Sequence, residues 1–307
     1  MLAFIIKKLL YSVLIIFGVM TIIFFVMNLL PDPARIMQGQ RADLSSQAAL
    51  RHELGLDKPV VERYFDFMSN AFTGDLGRSY TTNLPVLESI LERFKATALL
   101  AVSAMLIATI LGVAIGIISA VKSYSLIDNL SLVFAMFGIS VPSFVMGLLF
   151  IIVFGSWLEI LPISGYVDNG IEYLILPMVT LALRPISIIA RVTRSSMLDV
   201  LSSDYVRTAK AKGLSSNQVI LRHGLRNALN PVVTTVSAWL ASLLAGSFFI
   251  EYIFNWPGMG WMAVEAIPRS DFPTIQGVVI FAAVLFVVIN FLVDIVYAWL
   301  DPKVRLA

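Results

Sequence analysis

Six long apolar stretches constrain the fold of this chain more than any other feature. They cover residues 9–30, 97–121, 130–157, 172–190, 231–250 and 275–300. A helix needs roughly 20 mostly apolar residues to cross a bilayer. Because lipid offers the backbone no hydrogen-bond partner, runs of this length predict helices, whereas a β-barrel would show short alternating segments. We therefore expect an all-α polytopic membrane protein with six transmembrane helices.

The composition excludes an ordinary soluble domain. Charged residues make up 14% of the chain and hydrophobic residues 58%, whereas soluble proteins average about 25% charged residues. The absence of cysteine excludes disulfides and thiolate metal sites. The first apolar stretch is longer than the core of a signal peptide, and no small-residue cleavage site follows it, so we interpret it as a retained helix. The net charge of +2 gives no indication of nucleic-acid binding.

The positions of Lys and Arg predict the orientation in the membrane, because short cytoplasmic loops carry the excess of positive charge. With a cytoplasmic N-terminus, the short outer loops carry only Arg269. The inner side then carries Lys7, Lys8, Lys122, Arg191, Arg194, Arg207, Lys210, Lys212, Arg222, Arg226, Lys303 and Arg305. Residues 31–95 also contain basic residues, but long loops cross largely regardless of charge. We therefore predict that both termini are cytoplasmic.

Three regions follow from this topology. They are an N-terminal transmembrane helix (1–30), an extracytoplasmic cap region (31–95) and a five-helix core (96–307). The cap region is longer than a connection needs. It contains two predicted short helices, Ser45–Leu54 before Gly55 and Glu62–Phe72. We interpret the cap region as a docking surface for an external partner, with a passive loop as the alternative.

The outer loop 251–274 of the core is rich in aromatic and turn-forming residues. Trp256, Pro257, Gly258 and Trp261 are candidates for an outer gate. Residues 261–267 are predicted to form a short re-entrant helix. The alternative is an aromatic belt, because tryptophan is enriched at membrane interfaces.

The cytoplasmic loop 191–229 shows an ordered pattern of start and stop signals. A helix is predicted from Ser202 to Ala211, with Ser203 or Asp204 as its N-cap. Gly213 stands where a left-handed stop is expected, and a second helix is predicted to start at Ser215 or Ser216. We interpret this arrangement as a rigid elbow that transmits a push from a soluble partner. The alternative is a generic basic loop.

Two ionisable residues lie deep in the predicted spans, where such residues usually serve function. They are Arg184 in the fourth span and Asp294 in the sixth. An arginine at the centre of a membrane helix costs at least about 2.5 kcal/mol, so Arg184 must face protein, water or an anion. Arg184 is a candidate for the translocation pathway. The alternatives are an ion pair with Asp294 and snorkelling of Arg184 toward the cytoplasm.

The sequence lacks several catalytic and nucleotide-binding motifs, and their absence argues against some classes of function. The chain has no phosphate-binding G-x-x-x-x-G-K-[ST] loop, so its energy source lies on another chain or in an ion gradient. His52 and His223, its two histidines, are predicted to lie on opposite sides of the membrane, and no H-E-x-x-H motif is present. An enzyme is therefore disfavoured. An ion-coupled secondary transporter stays open as an alternative from a different class, although no internal repeat is visible.

Several segments resemble those of binding-protein-dependent ATP-binding-cassette (ABC) importer permeases, in the group that handles dipeptides, oligopeptides, glutathione and nickel. The segments are Ala190–Leu201, Arg207–Leu214, His223–Ala228, Phe254–Gly260 and Asp301–Arg305. The resemblance extends over the whole chain. One departure is that Arg207-Thr208-Ala209 stands where many permeases have Glu-Ala-Ala, so nothing about that acidic residue can be carried over.

The resemblance implies a type I ABC importer-like permease in the bacterial cytoplasmic (inner) membrane. Its partners would be a homologous second permease, two cytoplasmic ATPases that bind ATP and magnesium, an extracytoplasmic solute-binding protein and membrane lipid, with no cofactor or metal on this chain. The ATPase-coupling surface would comprise Asp204, Tyr205, Arg207, Thr208, Ala209, Lys210, Ala211, Lys212, Gly213 and Leu214. Short peptides are the expected substrates, with glutathione and nickel chelates as alternatives.

Overall fold

The computed structural model of the chain describes residues 2–38, 44–53 and 55–300. The α-helices of these residues are α1 (Leu2–Leu29), α2 (Pro33–Gln38), α3 (Leu44–Glu53), α4 (Val60–Phe72), α5 (Val86–Val121), α6 (Leu126–Ser140), α7 (Ser143–Phe150), α8 (Ile175–Leu201), α9 (Asp204–Ala211), α10 (Ser216–Gln218), α11 (Arg226–Leu244), α12 (Phe248–Ile253), α13 (Met259–Ala266) and α14 (Phe272–Leu300). Two π-helical segments, Ile151–Trp157 and Val219–Leu225, continue α7 and precede α11. The predicted all-α class is confirmed.

Four helical segments of the described residues are long and apolar enough to cross a membrane. They are Ile6–Leu29, Val86–Val121, Ile171–Leu201 and Phe272–Val293, and the pair α6 and α7 adds a fifth if it counts as one span. The predicted span 231–250 is not among them. α11 ends at Leu244, and Gly246 then takes a φ of 125° before α12 begins. The count of six transmembrane helices and the cytoplasmic termini therefore stay predictions.

The third predicted span is not one continuous helix. α6 and α7 are bent by 102° at the break between Ser140 and Ser143. Proline has no backbone N–H, and it disfavours the helical conformation of the residue before it. Val141, which precedes Pro142, accordingly has an extended backbone with φ −88° and ψ 127°. The prediction of an unbroken helix over 130–157 is wrong for this reason.

The described residues divide into two units, with boundaries at Thr97/Ala98 and Trp256/Pro257. In the unit that holds the N-terminal helix, buried Met20, Met68 and Ile280 form one hydrophobic cluster. Phe24 extends it, with its ring 5.3 Å from that of Tyr64. The two short helices predicted for the cap region are present as α3 and α4. The domain boundaries at residues 30 and 95 stay a prediction.

In the second unit, glycine allows α5 to approach α8 closely. A Cβ atom built on Gly112 would lie 2.8 Å from the Cβ of Ile189, and one on Gly116 would lie 2.5 Å from the Cβ of Thr193. Real Cβ contacts are essentially never this short, so only glycine fits at either position. The Gly-x-x-x-Gly spacing in the second apolar stretch therefore serves helix packing, as such motifs do in membranes.

The variant Gly116→Ala is expected to lower the free energy of unfolding by about 1–3 kcal/mol, because overpacking forces neighbouring atoms apart. The matched control is Gly18→Ala in α1, where a Cβ atom would meet nothing within 4 Å. Denaturant titration of each purified variant in detergent would measure its free energy of unfolding. Equal stability of the two variants would contradict the packing role of Gly116.

Candidate functional site

The predicted elbow is present between α8 and α11. α9 begins after Ser203 and is followed by Gly213, whose φ of 79° lies in the left-handed region. Side chains other than glycine are strained there. Ser215 starts α10, and its hydroxyl accepts from the backbone N–H of Gln218 while the Gln218 side chain accepts from the Ser215 N–H. Each signal is local, which is why the sequence predicted this part of the site.

One face of α9 is anchored to the polypeptide that follows it. Val206 and Ala209 are buried on this face and form a cluster with buried Val219 at the start of the second π-helical segment. Val200 and Leu201, at the end of α8, pack against the same cluster. Ala209, predicted as part of the coupling surface, therefore stabilises the elbow from within. The elbow is a packed unit with its own small core.

The opposite face of α9 is exposed and carries most of the predicted coupling residues. The exposed members are Asp204, Tyr205, Arg207, Thr208, Lys210, Ala211, Lys212, Gly213 and Leu214. The Tyr205 hydroxyl accepts a hydrogen bond of 2.9 Å from the Asn227 side chain of α11. The surface is predominantly basic. It can accordingly attract an acidic partner surface.

The elbow is continuous with the helices of its unit. Met197 of α8, Ala228 of α11 and Ala120 of α5 form a buried cluster just beyond it. Gly224 lies against Met197, since a Cβ atom on it would lie 3.4 Å from the Met197 methyl group. Packed side chains therefore connect α9 to three long helices.

A buried ion pair supports the same end of the unit. Asp128 is only 1% exposed, and Arg194 of α8 donates to it from Nε at 2.6 Å and from Nη2 at 2.7 Å. The Ser119 hydroxyl and the Tyr124 backbone N–H donate to the same carboxylate. Sequence reasoning missed Asp128. The available signal was an acidic residue in the first turn of an otherwise apolar helix.

Arg184 lies on α8 and is exposed in the isolated chain. Its guanidinium carbon is 5.9 Å from the ring centroid of Trp239 on α11, which places it within cation–π range. Arg184 makes no ion pair with any residue whose side chain the structure describes. Asp294 lies on α14, but its side chain is outside the described part of the structure. The predicted ion pair between Arg184 and Asp294 therefore stays a prediction.

The four candidates for the outer gate occupy different environments. Trp256 is fully buried, with its ring 4.8 Å from that of Tyr166. It therefore cannot serve in an aromatic belt at the membrane interface. Burial raises the pKa of the Tyr166 phenol above its usual value. Pro257 is half-buried and Gly258 is buried, and both precede α13.

Trp261 lies on α13, the short helix that the sequence predicted at 261–267. It is half-buried, and the guanidinium carbon of Arg93 lies 4.9 Å from its ring centroid. The first residue of α13, Met259, donates its backbone N–H to the buried hydroxyl of Thr97 at 2.9 Å. This hydrogen bond fixes the start of α13 against α5. Whether α13 enters the membrane stays a prediction.

The fold has a known counterpart among solved structures. A chain from the MetNI methionine ABC transporter, in an inward-facing conformation, superposes with a TM-score of 0.52 and 14% sequence identity. The match covers 69% of this chain and 96% of that one. This likeness defines the fold as that of a type I ABC importer permease.

The chain belongs to the family described as binding-protein-dependent transport system inner membrane component, which residues 112–306 match, while residues 1–101 match its N-terminal region. It is similar to the glutathione transport system permease protein GsiC of Escherichia coli O6:H1 and of Pectobacterium atrosepticum, at 42% identity over 306 residues and 99% of each chain. The protein is therefore a multi-pass permease subunit of an ABC importer in the bacterial inner membrane, and the predicted family is confirmed.

Proposed function

We propose that this chain forms half of the translocation pathway of an ATP-driven importer for short peptides of the glutathione type. Support for the substrate comes from relatives named as glutathione permeases, which match this chain over nearly its whole length. Glutathione is itself a tripeptide, so it falls within the short peptides expected from the sequence. The partners would be a second, homologous permease, two cytoplasmic ATPases and a solute-binding protein.

The observation that carries the mechanism is the packed elbow around α9. Its buried face is held by Val206 and Val219, and its basic face is free to enter a groove of an ATPase. When ATP closes the two ATPases, the two coupling segments are drawn together and the permease opens outward. Hydrolysis then returns it to the inward-facing state. Binding energy on one side of the membrane thus changes access on the other, as in alternating-access transport.

A cross-linking experiment tests this assignment. The chain contains no cysteine, so Lys210→Cys introduces a unique thiol on the exposed face of α9. We expect this thiol to cross-link to an engineered cysteine in the ATPase groove of the assembled complex, with a yield that changes on ATP binding. Uptake by proteoliposomes should require the ATPases. Uptake by this subunit alone, with no nucleotide hydrolase present, would refute the proposal.

We further propose that Arg184 contributes to the pathway as a site for a substrate carboxylate. Its side chain is exposed in the isolated chain, and the face of Trp239 holds its guanidinium. A guanidinium held against an aromatic face keeps N–H donors at its edge, and those donors match a carboxylate. Glutathione carries two carboxylates, so an arginine on its path would lower the cost of leaving water.

Replacing Arg184 by alanine is expected to slow uptake of glutathione about tenfold, the loss of one charge-assisted hydrogen bond. Uptake of a peptide that carries no carboxylate, such as one with an amidated C-terminus, should change little. Arg184→Lys serves as the control that keeps the charge. Equal losses for both peptides would instead favour an internal ion pair, which the swap Arg184→Asp with Asp294→Arg would reveal by restoring uptake.

A further inference from the structure

A cleft on the side of the chain that is predicted to face outward has no role in the function described so far. Its volume is about 200 Å³. It lies within one unit of the fold, between the segment that leads into α5 and the segment from α13 to the start of α14. Groups of both charge signs and several hydroxyls line it. A few charged and hydroxyl groups in such a cleft can fix the orientation of a small zwitterion.

Arg93 supplies the cationic side of the cleft. It is half-buried on α5, and its guanidinium carbon lies 4.9 Å from the centre of the Trp261 ring. It makes no ion pair or hydrogen bond with any residue that the structure describes. The other cleft arginine, Arg269, is already paired with Glu265 at 2.8 Å. The ring of Trp261 thus holds the Arg93 guanidinium in place. Its N–H donors have no partner among the described residues, so they can bind a carboxylate in a bidentate manner.

A buried carboxylate organises the opposite wall. Asp271 is 2% exposed and accepts hydrogen bonds from the hydroxyls of Ser79, Thr81 and Thr274. The backbone N–H of Tyr80 donates to it as well, at 2.9 Å. Asp271 is therefore satisfied without a cation.

The hydrogen bonds to Asp271 determine which ligand groups this wall of the cleft can bind. A hydroxyl has one proton to donate and two lone pairs to accept with. Because the proton of Thr81 is committed to Asp271, its oxygen can only accept from a ligand. Thr81 is exposed and lines the cleft, as does the carboxylate-bearing Glu92 beside Arg93. This side of the cleft consequently favours a group rich in N–H donors, such as an ammonium.

We infer that the cleft is a subsite for the α-amino-acid end of a short peptide, with the carboxylate on Arg93 and the ammonium at Thr81 and Glu92. The inference rests on the proposed function and specifies part of its substrate. The γ-glutamyl end of glutathione carries an ammonium and a carboxylate on one carbon. It therefore presents both charges within the reach of one small cleft. The subsite would receive the peptide on the outer side, before the pathway itself.

Direct binding of glutathione to the assembled permease–ATPase complex in nanodiscs, without binding protein, tests the subsite. We expect Arg93→Ala to raise the dissociation constant about tenfold and Arg93→Lys to raise it less. In transport assays the same variant should raise KM with the maximal rate unchanged, as for a group that only binds substrate. Lys95→Ala is the matched control, because Lys95 is an exposed cation on the same helix that does not line the cleft.

A glutathione analogue that lacks the α-carboxylate of the γ-glutamyl residue tests whether Arg93 binds that carboxylate. It should bind the wild-type complex and the Arg93→Ala complex equally weakly. Unchanged glutathione binding by Arg93→Ala would overturn the inference. So would a loss of affinity for the solute-binding protein in this variant, since Arg93 would then dock a protein carboxylate. If the wild-type complex transports no glutathione, the proposed function fails, while the binding measurement still decides the role of the cleft.

Discussion

Replacing Arg194 by methionine is expected to lower the free energy of unfolding of the permease by about 3–5 kcal/mol, the usual cost of breaking one side of a buried ion pair. Methionine fills much of the space but leaves the carboxylate of Asp128 without a cation. That carboxylate is 1% exposed and the Arg194 side chain 20%, so water only partly replaces the lost guanidinium. The hydrogen bonds from Ser119 and Tyr124 remain, and they do not neutralise the charge. Denaturant unfolding in detergent would measure the loss.

The double variant Asp128→Asn with Arg194→Met is the control for this prediction. Asparagine can accept from the Tyr124 N–H through its oxygen and donate from its amide nitrogen to the Ser119 hydroxyl, which then accepts. It brings no charge that needs compensation. We expect the double variant to recover a large part of the lost stability. If it is as unstable as the single variant, the cost lies in the packing of Arg194, and the unpaired charge is not its cause.

The variant Val206→Asp is expected to reduce ATP-driven uptake by about 100-fold, because it places a carboxylate in the small core of the elbow. Val206 is 0% exposed and contacts neighbours that are themselves apolar, with no cation in its cluster. α9 must leave this core for the carboxylate to reach water. Under the proposed coupling role, a detached α9 would no longer transmit movement of an ATPase to α8. Uptake by proteoliposomes that contain the complete complex is the measurement.

Ala211→Asp is the matched control for Val206→Asp. It adds the same charge on the same helix, but at an exposed position. Limited proteolysis should cut the elbow faster in Val206→Asp than in the wild type and leave Ala211→Asp unchanged. The spans themselves should stay intact in both variants. If the elbow of Val206→Asp resists the protease as well as the wild type does, the buried anchor does not hold α9 in place.

The parts of the structure that the sequence predicted well are those that local signals determine. The elbow follows from the left-handed Gly213 and the capping box of Ser215, which both act over a few residues. Ser203 occupies the predicted N-cap position of α9, but its side chain makes no capping hydrogen bond. The helices α3 and α4 follow from similar signals. α5 carries Gly112 and Gly116 at a spacing that favours close packing against another helix. Its partner helix was not predictable from that spacing.

The parts that the sequence did not predict depend on contacts between distant residues. Asp128 and Arg194 are separated by 66 residues, and Ser79 and Asp271 by 192, so no local pattern connects them. Hydropathy predicted an apolar third stretch but gave no sign that Pro142 would bend it by 102°. The burial of Trp256 was missed because an aromatic residue near a membrane surface is usually assigned to the interface.

The glycine contacts of α8 also limit how the permease can move. α8 touches α5 at Gly112 and Gly116, and a Cβ atom on Gly138 of α6 would collide with the Ser187 hydroxyl of α8. Backbones that lie this close cannot slide past one another without separating first. We therefore expect the three helices to move as one block during the transport cycle. In the proposed pair of permease subunits, gating motion would belong to the joint between them, where such a block can rotate without disturbing its own interior.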